Sequence, residues 1–414
     1  MNAAAPDIFS PVRLGPLTLR NRVIKAATFE ARTPGGAVTD ALIDYHLAPA
    51  AGGVGMTTVA YCAVSAEGRT ERDQILMKPD AVPQLLKLTD AVHAEGAAVC
   101  AQLGHAGPVA NAASNGVPAL SPNKLFSPLS MKSTHRPDAD DLARIVADHA
   151  RGAVLAADSG FDAVELHFAH NYLVSSFMSP LLNRRRDGYG GSLANRARLA
   201  REIATAVREA VGDRIAVTAK LSMDDGVPGG LRLQESLQIG RWLQADGALD
   251  ALQLTVGSSL LNPMYYFRGG APRNEFARAF PPPLSWAMAT GGRFFLRQYP
   301  FHEAYLLDLA RQFRHELTMP LILLGGITGR ESMDTAMAEG FEFVAMARAL
   351  LRDPDLVNRI RTDPATRSLC THCNKCMVTI FDETRCVLRP LEFDMPRPVS
   401  LDAALRQNGP AAPA

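Results

Sequence analysis

Eight short runs along the chain are apolar or β-branched at nearly every position: 22–28, 53–61, 97–103, 162–168, 214–221, 250–255, 319–325 and 341–347. Runs of this length and continuity predict strands buried on both faces, as in a parallel sheet. Between them, apolar residues recur every three to four positions near 40–51, 80–95, 140–159, 193–210, 234–245, 302–316 and 330–339, with 354–362 after the last run. In 140–159, for example, Leu142, Ile145, Val146, His149, Val154 and Leu155 form one apolar stripe behind the acidic start Asp140-Asp141. Strand-then-helix repeated eight times predicts an α/β fold, a closed (β/α)8 TIM barrel, and fits less well an open doubly wound sheet.

Two connections exceed the usual strand-to-helix turn: 104–137 after the third strand and 257–300 after the sixth. Both leave C-terminal strand ends, where a barrel carries its active site, so they are expected to wall it. The second holds Tyr265, Tyr266, Phe267, Phe276, Phe280, Trp286, Phe294, Phe295 and Tyr299 together with Arg268, Arg273, Arg278, Arg293 and Arg297. This pattern suits either a local mini-core with solvated arginines or a pocket for a flat, anionic ligand.

Composition narrows the classes of function. The 414 residues are 47% hydrophobic and 21% charged, which excludes disorder for the bulk of the chain. Forty-three Lys+Arg against 42 Asp+Glu leave a net charge of +1, so no overall field draws the protein to nucleic acid or an anionic membrane. No apolar run approaches the roughly 18 residues of a membrane span, and Asp7 and the prolines near the start do not suit a signal peptide. Six cysteines cannot staple a chain this long, so reduced thiols in the cytoplasm are expected. The barrel, with its cysteine-rich segment, is expected over 1–390, and the Pro- and Ala-rich residues 391–414 are expected to be a disordered tail. The expected partner is a small-molecule substrate; the oligomeric state is open, and a homo-oligomer is compatible with the pattern.

The C-terminal strand ends gather polar residues from distant parts of the chain: Thr28, Gln102, His167 with His170 and Tyr172, Lys220, Gly325-Gly326 and Arg348. No nucleophile elbow, P-loop or HExxH pair is present, which leaves redox or lyase chemistry. The seventh and eighth strand ends are the usual phosphate station of a barrel, and here they offer glycine amides, a helix start near Thr328 and the Arg348 cation. His167 and His170 are a poor zinc set without a cysteine or acidic ligand nearby. As two N–H donors aimed at one oxygen they would polarise a carbonyl, and Tyr172 would supply a proton.

The segments FSPVRLGPLTLRNRVIKAAT, CAQLGHAG, ELHFAHNYLVSSFMSPLLNRRRDGYGGSLANRAR, LLGGIT and MARALLRDP resemble the old yellow enzyme family of FMN oxidoreductases, over about residues 7–390. The resemblance implies FMN across the barrel mouth, reduced by NADH or NADPH and reoxidised by a substrate with an activated C=C bond. It implies that Thr28 and Gln102 contact the flavin ring, and that Lys220 lies near N1, where many members have arginine. Gly325, Gly326, Ala347 and Arg348 would hold the phosphate, His167 and His170 the activating oxygen of the substrate, and Tyr172 the proton. With no GxGxxG fold, the nicotinamide is expected to share the substrate pocket.

Cys370, Cys373 and Cys376, with Cys386 further on, have iron–sulfur-like spacing. They resemble the cluster segment of 2,4-dienoyl-CoA reductase, which has one more residue between its second and third cysteines and an added domain beyond the point where this chain ends. A 4Fe-4S cluster, zinc and plain reduced thiols all remain open readings, and Cys62 and Cys100 read as buried small hydrophobes. Two other functions compete with C=C reduction: oxidation or demethylation of an amine or betaine, and a low-turnover flavin sensor. The second has no use for a carbonyl clamp.

Overall fold

A computed structural model describes residues 5–127, 130–279 and 284–389; the expected tail 391–414 and Phe280 lie outside the described residues. Eight parallel strands close a barrel: β1 (Val23–Lys25), β2 (Met56–Ala63), β3 (Ala98–Gly104), β4 (Ala163–Phe168), β5 (Ala216–Ser222), β6 (Ala251–Thr255), β7 (Leu321–Leu324) and β8 (Phe343–Met346). The main helices are α1 (Asp40–Ala51), α2 (Val82–Ala94), α3 (Ala139–Asp158), α4 (Leu193–Val211), α5 (Leu233–Asp246), α6 (Leu307–Glu316), α7 (Arg330–Ala338) and α8 (Leu356–Thr362). Every strand and helix expected from the pattern is present, and the fold is a (β/α)8 TIM barrel. No described helix is long and apolar enough to cross a membrane.

Local chemistry sets the helix boundaries. At the start of α3, Asp138 accepts a bond from the Asp141 amide at 2.9 Å while Asp141 accepts one from the Asp138 amide at 3.2 Å, a reciprocal cap. Leu142, Ile145 and His149 are buried as expected, but Val146, Val154 and Leu155 are only half-buried. Gly152, Ala153 and Ala156 take the innermost places, because the helix comes too close to the sheet for larger groups: a Cβ on Gly152 would lie 3.3 Å from Val64.

A β-hairpin that the pattern did not single out, Val12–Leu14 paired with Leu17–Leu19, precedes β1. Its Leu14 and Leu19 join Ile24, Ala163, Ala216, Ala251, Ile322 and Phe343 in one buried cluster, so the hairpin closes the N-terminal end of the barrel with apolar side chains. At the other end the two long connections fold over the mouth. The first carries the helix Ala112–Asn115 and the strand pair Phe126–Ser127 and Lys132–Ser133; the second carries helices Met264–Phe267, Arg273–Arg278 and Leu284–Phe295. The connection after β4 is also long, and its short helix Leu173–Met178 begins directly after Tyr172.

Candidate active site

Side chains alternate along a strand, so every second residue of β4, β5 and β6 enters the barrel. Glu165 stands there, 4% exposed, as the hub of a polar network. It accepts from Gln102 Nε2 at 2.7 Å and Lys220 Nζ at 2.9 Å on one oxygen, and from Gln253 Nε2 at 2.8 Å on the other. The strands therefore bring Gln102 and Lys220 together as expected, but the lysine charge is paired rather than free. Glu165 and Gln253 were not singled out from the sequence, although Glu165 lies two positions before His167 and so must share its face.

His167 and His170 meet at the end of β4, with His167 Nε2 3.4 Å from His170 Nδ1. Both His170 (φ 61°) and Asn171 (φ 59°) adopt the left-handed conformation, which turns the second imidazole back toward the first. The turn is pinned by bonds from the His170 amide to Ser222 Oγ at 3.0 Å and from the Ser259 amide to the His170 carbonyl at 3.0 Å. Gly104 makes room below: a Cβ there would lie 3.2 Å from that of His167. His170 Nε2 lies 3.1 Å from Thr255 Oγ1, and His167 Nδ1 is buried with no partner among the described residues. As the chain stands, the facing nitrogens meet each other, and a ligand oxygen would take the place of that contact.

Both imidazoles are neutral at pH 7. Burial, then the neighbouring His170 and Lys220, push His167 well below its usual value; burial and Lys220 push His170 down to about 3. The Tyr172 ring lies 4.4 Å from that of His167, and burial raises its phenol so that it keeps its proton. Tyr61 and Tyr266, not singled out individually as site residues, complete the wall. Tyr61 sits at a register shift in β2, edge-on to Tyr172 at 5.7 Å, and Tyr266 packs 4.6 Å from His170. Irregular strand ends of this kind re-aim side chains toward a site.

Thr28 lies beyond the end of β1, its hydroxyl 2.8 Å from Tyr45 and 3.1 Å from Lys25 Nζ. Lys25 was also missed by the sequence pattern; burial pushes it down to about 8, against the pull of Glu30. At the seventh strand end, Gly325 (φ 100°) and Gly326 (φ 77°) hold a left-handed turn that other residues rarely adopt. The segment before α6 packs on them: a Cβ on Gly326 would lie 2.7 Å from the Ala304 amide nitrogen and 2.9 Å from the Tyr305 ring. Ala347 precedes the short helix Arg348–Arg352. Arg348 donates to the carbonyl of Arg268 at 3.0 Å and to Asn374 Oδ1, both neutral oxygens, and no described carboxylate pairs with it.

Arg348, half-buried and bonded only to neutral oxygens, and the polar groups gathered around Gln102 and Lys220 are donors whose chemistry suits a flavin mononucleotide. The four C-terminal cysteines fit a metal less well. Cys370, Cys373, Cys376 and Cys386 line one cleft with Arg348 and Asn374, but among the described residues no three metal-ligating side chains are placed to hold an ion. Burial raises the Cys376 thiol to about 12 and also raises Cys370. As placed, the described side chains form no ligand set for a 4Fe-4S cluster or zinc. Cys62 and Cys100 are buried in β2 and β3, as expected.

Residues 7–255 match the NADH:flavin oxidoreductase / NADH oxidase family. The chain belongs to that family. It is 55% identical over 387 residues to the 4,4'-dithiodibutanoate disulfide reductase of Rhodococcus erythropolis, covering 94% of this chain and 96% of that protein. It is 31% identical to the metal reductase of Desulforamulus reducens over 90% of this chain and 52% of that protein, and so spans about half of that longer relative. Among solved structures it resembles morphinone reductase in complex with tetrahydroNAD (TM-score 0.67, 23% identity, 88% of this chain and 92% of that one), a likeness of fold. Membership in the NADH:flavin oxidoreductase family makes the protein an FMN-dependent enzyme that draws on NADH or NADPH.

Proposed function

We propose that the protein reduces a small electrophile clamped by His167 and His170, with an activated C=C bond, as in an α,β-unsaturated carbonyl, as the leading substrate. The observation that carries this reading is the pair of neutral imidazoles, His167 buried and His170 half-buried, facing each other beside a protonated tyrosine. FMN, held there, would supply the hydride, two electrons with one proton, that it accepts from NAD(P)H. The histidines' part is to donate hydrogen bonds to the substrate oxygen, which draws electron density from the conjugated bond and leaves its β-carbon electrophilic. Tyr172 gives its proton to the α-carbon, so that hydride plus proton saturate the bond. Thr28, Gln102 and Lys220 are assigned to the ring of the cofactor, and Gly325, Gly326, Ala347 and Arg348 to its phosphate. Six unpaired cysteines support a reducing, cytoplasmic setting as part of the proposal.

The 55% identical relative favours a second reading, in which the accepting bond is a disulfide and hydride plus proton yield two thiols. Tyr172→Phe tests the first reading, and the wild type's choice of acceptor separates it from the second. Reduction of the holoenzyme by NAD(P)H is expected to stay near the wild-type rate, because hydride transfer uses no phenol. Reoxidation by an unsaturated ketone is expected to slow by about 10²–10⁴-fold in stopped flow, the usual worth of a general acid. Reoxidation by a quinone, which needs no carbon protonation, is expected to hold. A wild-type enzyme reoxidised by a linear disulfide and not by the enone selects the second reading.

A further inference from the structure

Five arginines follow β6, at 268, 273, 278, 293 and 297, and one of them is held differently from the rest. Arg268 is half-buried at a left-handed turn (φ 53°), and its guanidinium carbon lies 5.1, 5.3 and 5.7 Å from the ring centres of Tyr265, Tyr299 and Tyr305. Three aromatic faces take water from around the cation without consuming its N–H donors. Its Nε donates to the Tyr265 carbonyl at 3.3 Å, while among the described residues neither terminal amino group has a hydrogen-bond partner and no carboxylate pairs with the fork. The backbone at this point is fixed, since the Arg268 carbonyl accepts from Arg348 at 3.0 Å and from Asn374 at 2.8 Å. A positioned, partly desolvated guanidinium with unspent donors is built for a planar oxyanion.

The cage shares a wall with the histidine clamp. Tyr266, between Tyr265 and Arg268 in sequence, packs its ring 4.6 Å from His170, and Tyr305 of the cage donates its hydroxyl to the Tyr266 carbonyl at 2.7 Å. We infer that Arg268 anchors the substrate by an anionic group, and that the preferred substrate is a small carboxylate. The inference rests on the clamp reading above and adds the substrate class to it. Arg348, at the eighth strand end, is left to the cofactor phosphate.

The test titrates the holoenzyme at pH 7 with 3-(4-hydroxyphenyl)propanoate and with its methyl ester, following the long-wavelength flavin absorption that a phenol on the clamp produces. The two ligands share a phenol and differ in the carboxylate. Wild type is expected to bind the acid about tenfold or more tightly than the ester, the worth of a charged hydrogen bond. Arg268→Met should lose most of that preference and Arg268→Lys should keep part of it, since a lysine retains the charge without the fork. An acid-to-ester ratio unchanged in Arg268→Met overturns the inference and leaves the clamp standing. Loss of FMN from Arg268→Met on gel filtration that leaves wild type loaded also overturns it, and gives the cation to the phosphate. A spectrum that neither ligand perturbs removes both the anchor and the clamp.

Discussion

The two ends of the barrel are made by the same strands and have opposite chemistry. Along β4 the inward positions run Ala163, Glu165, His167; along β5, Ala216, Thr218, Lys220; along β6, Ala251, Gln253, Thr255. The first of each set joins the apolar cluster under the hairpin leucines, and the last stands at the mouth. Four residues of strand separate alanines packed in an apolar cluster from side chains that each carry a donor or acceptor. The lower end is closed by the chain itself, so nothing remains there for a polar group to bind. At the upper end polar groups converge at the mouth, and the network around Glu165 keeps those below them satisfied. Stability and chemistry are thus separated along one axis, as is general in this architecture.

The largest effect should come from the point where the two ends meet. Glu165→Ala removes the partner of a buried lysine and of two amides, and breaking a buried ion pair on one side costs about 3–5 kcal/mol. Urea unfolding is expected to show a loss of that size, together with weaker FMN retention, because Gln102 and Lys220 lose the group that positions them. The double variant Glu165→Leu with Lys220→Met is expected to recover much of the stability but not the flavin. A loss below about 1 kcal/mol in Glu165→Ala would show that the two ends are not coupled through this residue.

At the closed end, Leu19→Ala is expected to cost about 2–4 kcal/mol, since the side chain is 1% exposed inside a packed cluster. Turnover per bound flavin should match wild type. A fall in turnover larger than the fall in folded fraction would mean that the hairpin reaches the mouth mechanically, and would break the separation drawn above.

The sequence showed the strands almost completely, because continuous apolar runs and helical spacing follow directly from burial, but it did not show the hairpin that closes the lower end. It showed the mouth in part. His167, His170, Tyr172, Gln102 and Lys220 lie at or just past strand ends, so counting along the strands finds them. Glu165 and Gln253 obey the same period of two and were legible, but one carboxylate inside an apolar run is easily passed over. The expected strand over 22–28 ends at Lys25, because beyond the bond from the Ala26 amide to the Met346 carbonyl the chain leaves the sheet toward Thr28. The connection after β6 resisted reading for a different reason. Its two proposed roles fall to different residues: Met264, Phe276 and Leu296 form a mini-core with Met377, while Tyr266 turns to the histidines. Asn374 bonds the Arg268 and Gly270 carbonyls at 2.8 Å across more than a hundred residues, and no local pattern announces such a contact.

The smallest effect sharpens the comparison by pH. In the described apolar cluster of the closed end the titratable side chain is Cys100, whose thiol burial raises and so keeps neutral, whereas the mouth holds two imidazoles whose values burial lowers. His170 sits at about 3 in the folded protein against about 6.5 unfolded, so its folded value is depressed and the unfolded chain takes up the proton first. Its contribution to stability is therefore present above pH 6.5 and is lost as the pH falls toward 3. Between pH 6 and pH 5 the loss from this one group is about 1 kcal/mol. His170→Asn cannot protonate, and its stability is expected to fall by about that much less over the same interval, measured by urea unfolding at the two pH values. Equal losses in the variant and the wild type would mean that the imidazole titrates normally in the folded protein. It would then be cationic at mildly acid pH, and the clamp would hold its ligand with a charge that the neutral pair does not carry.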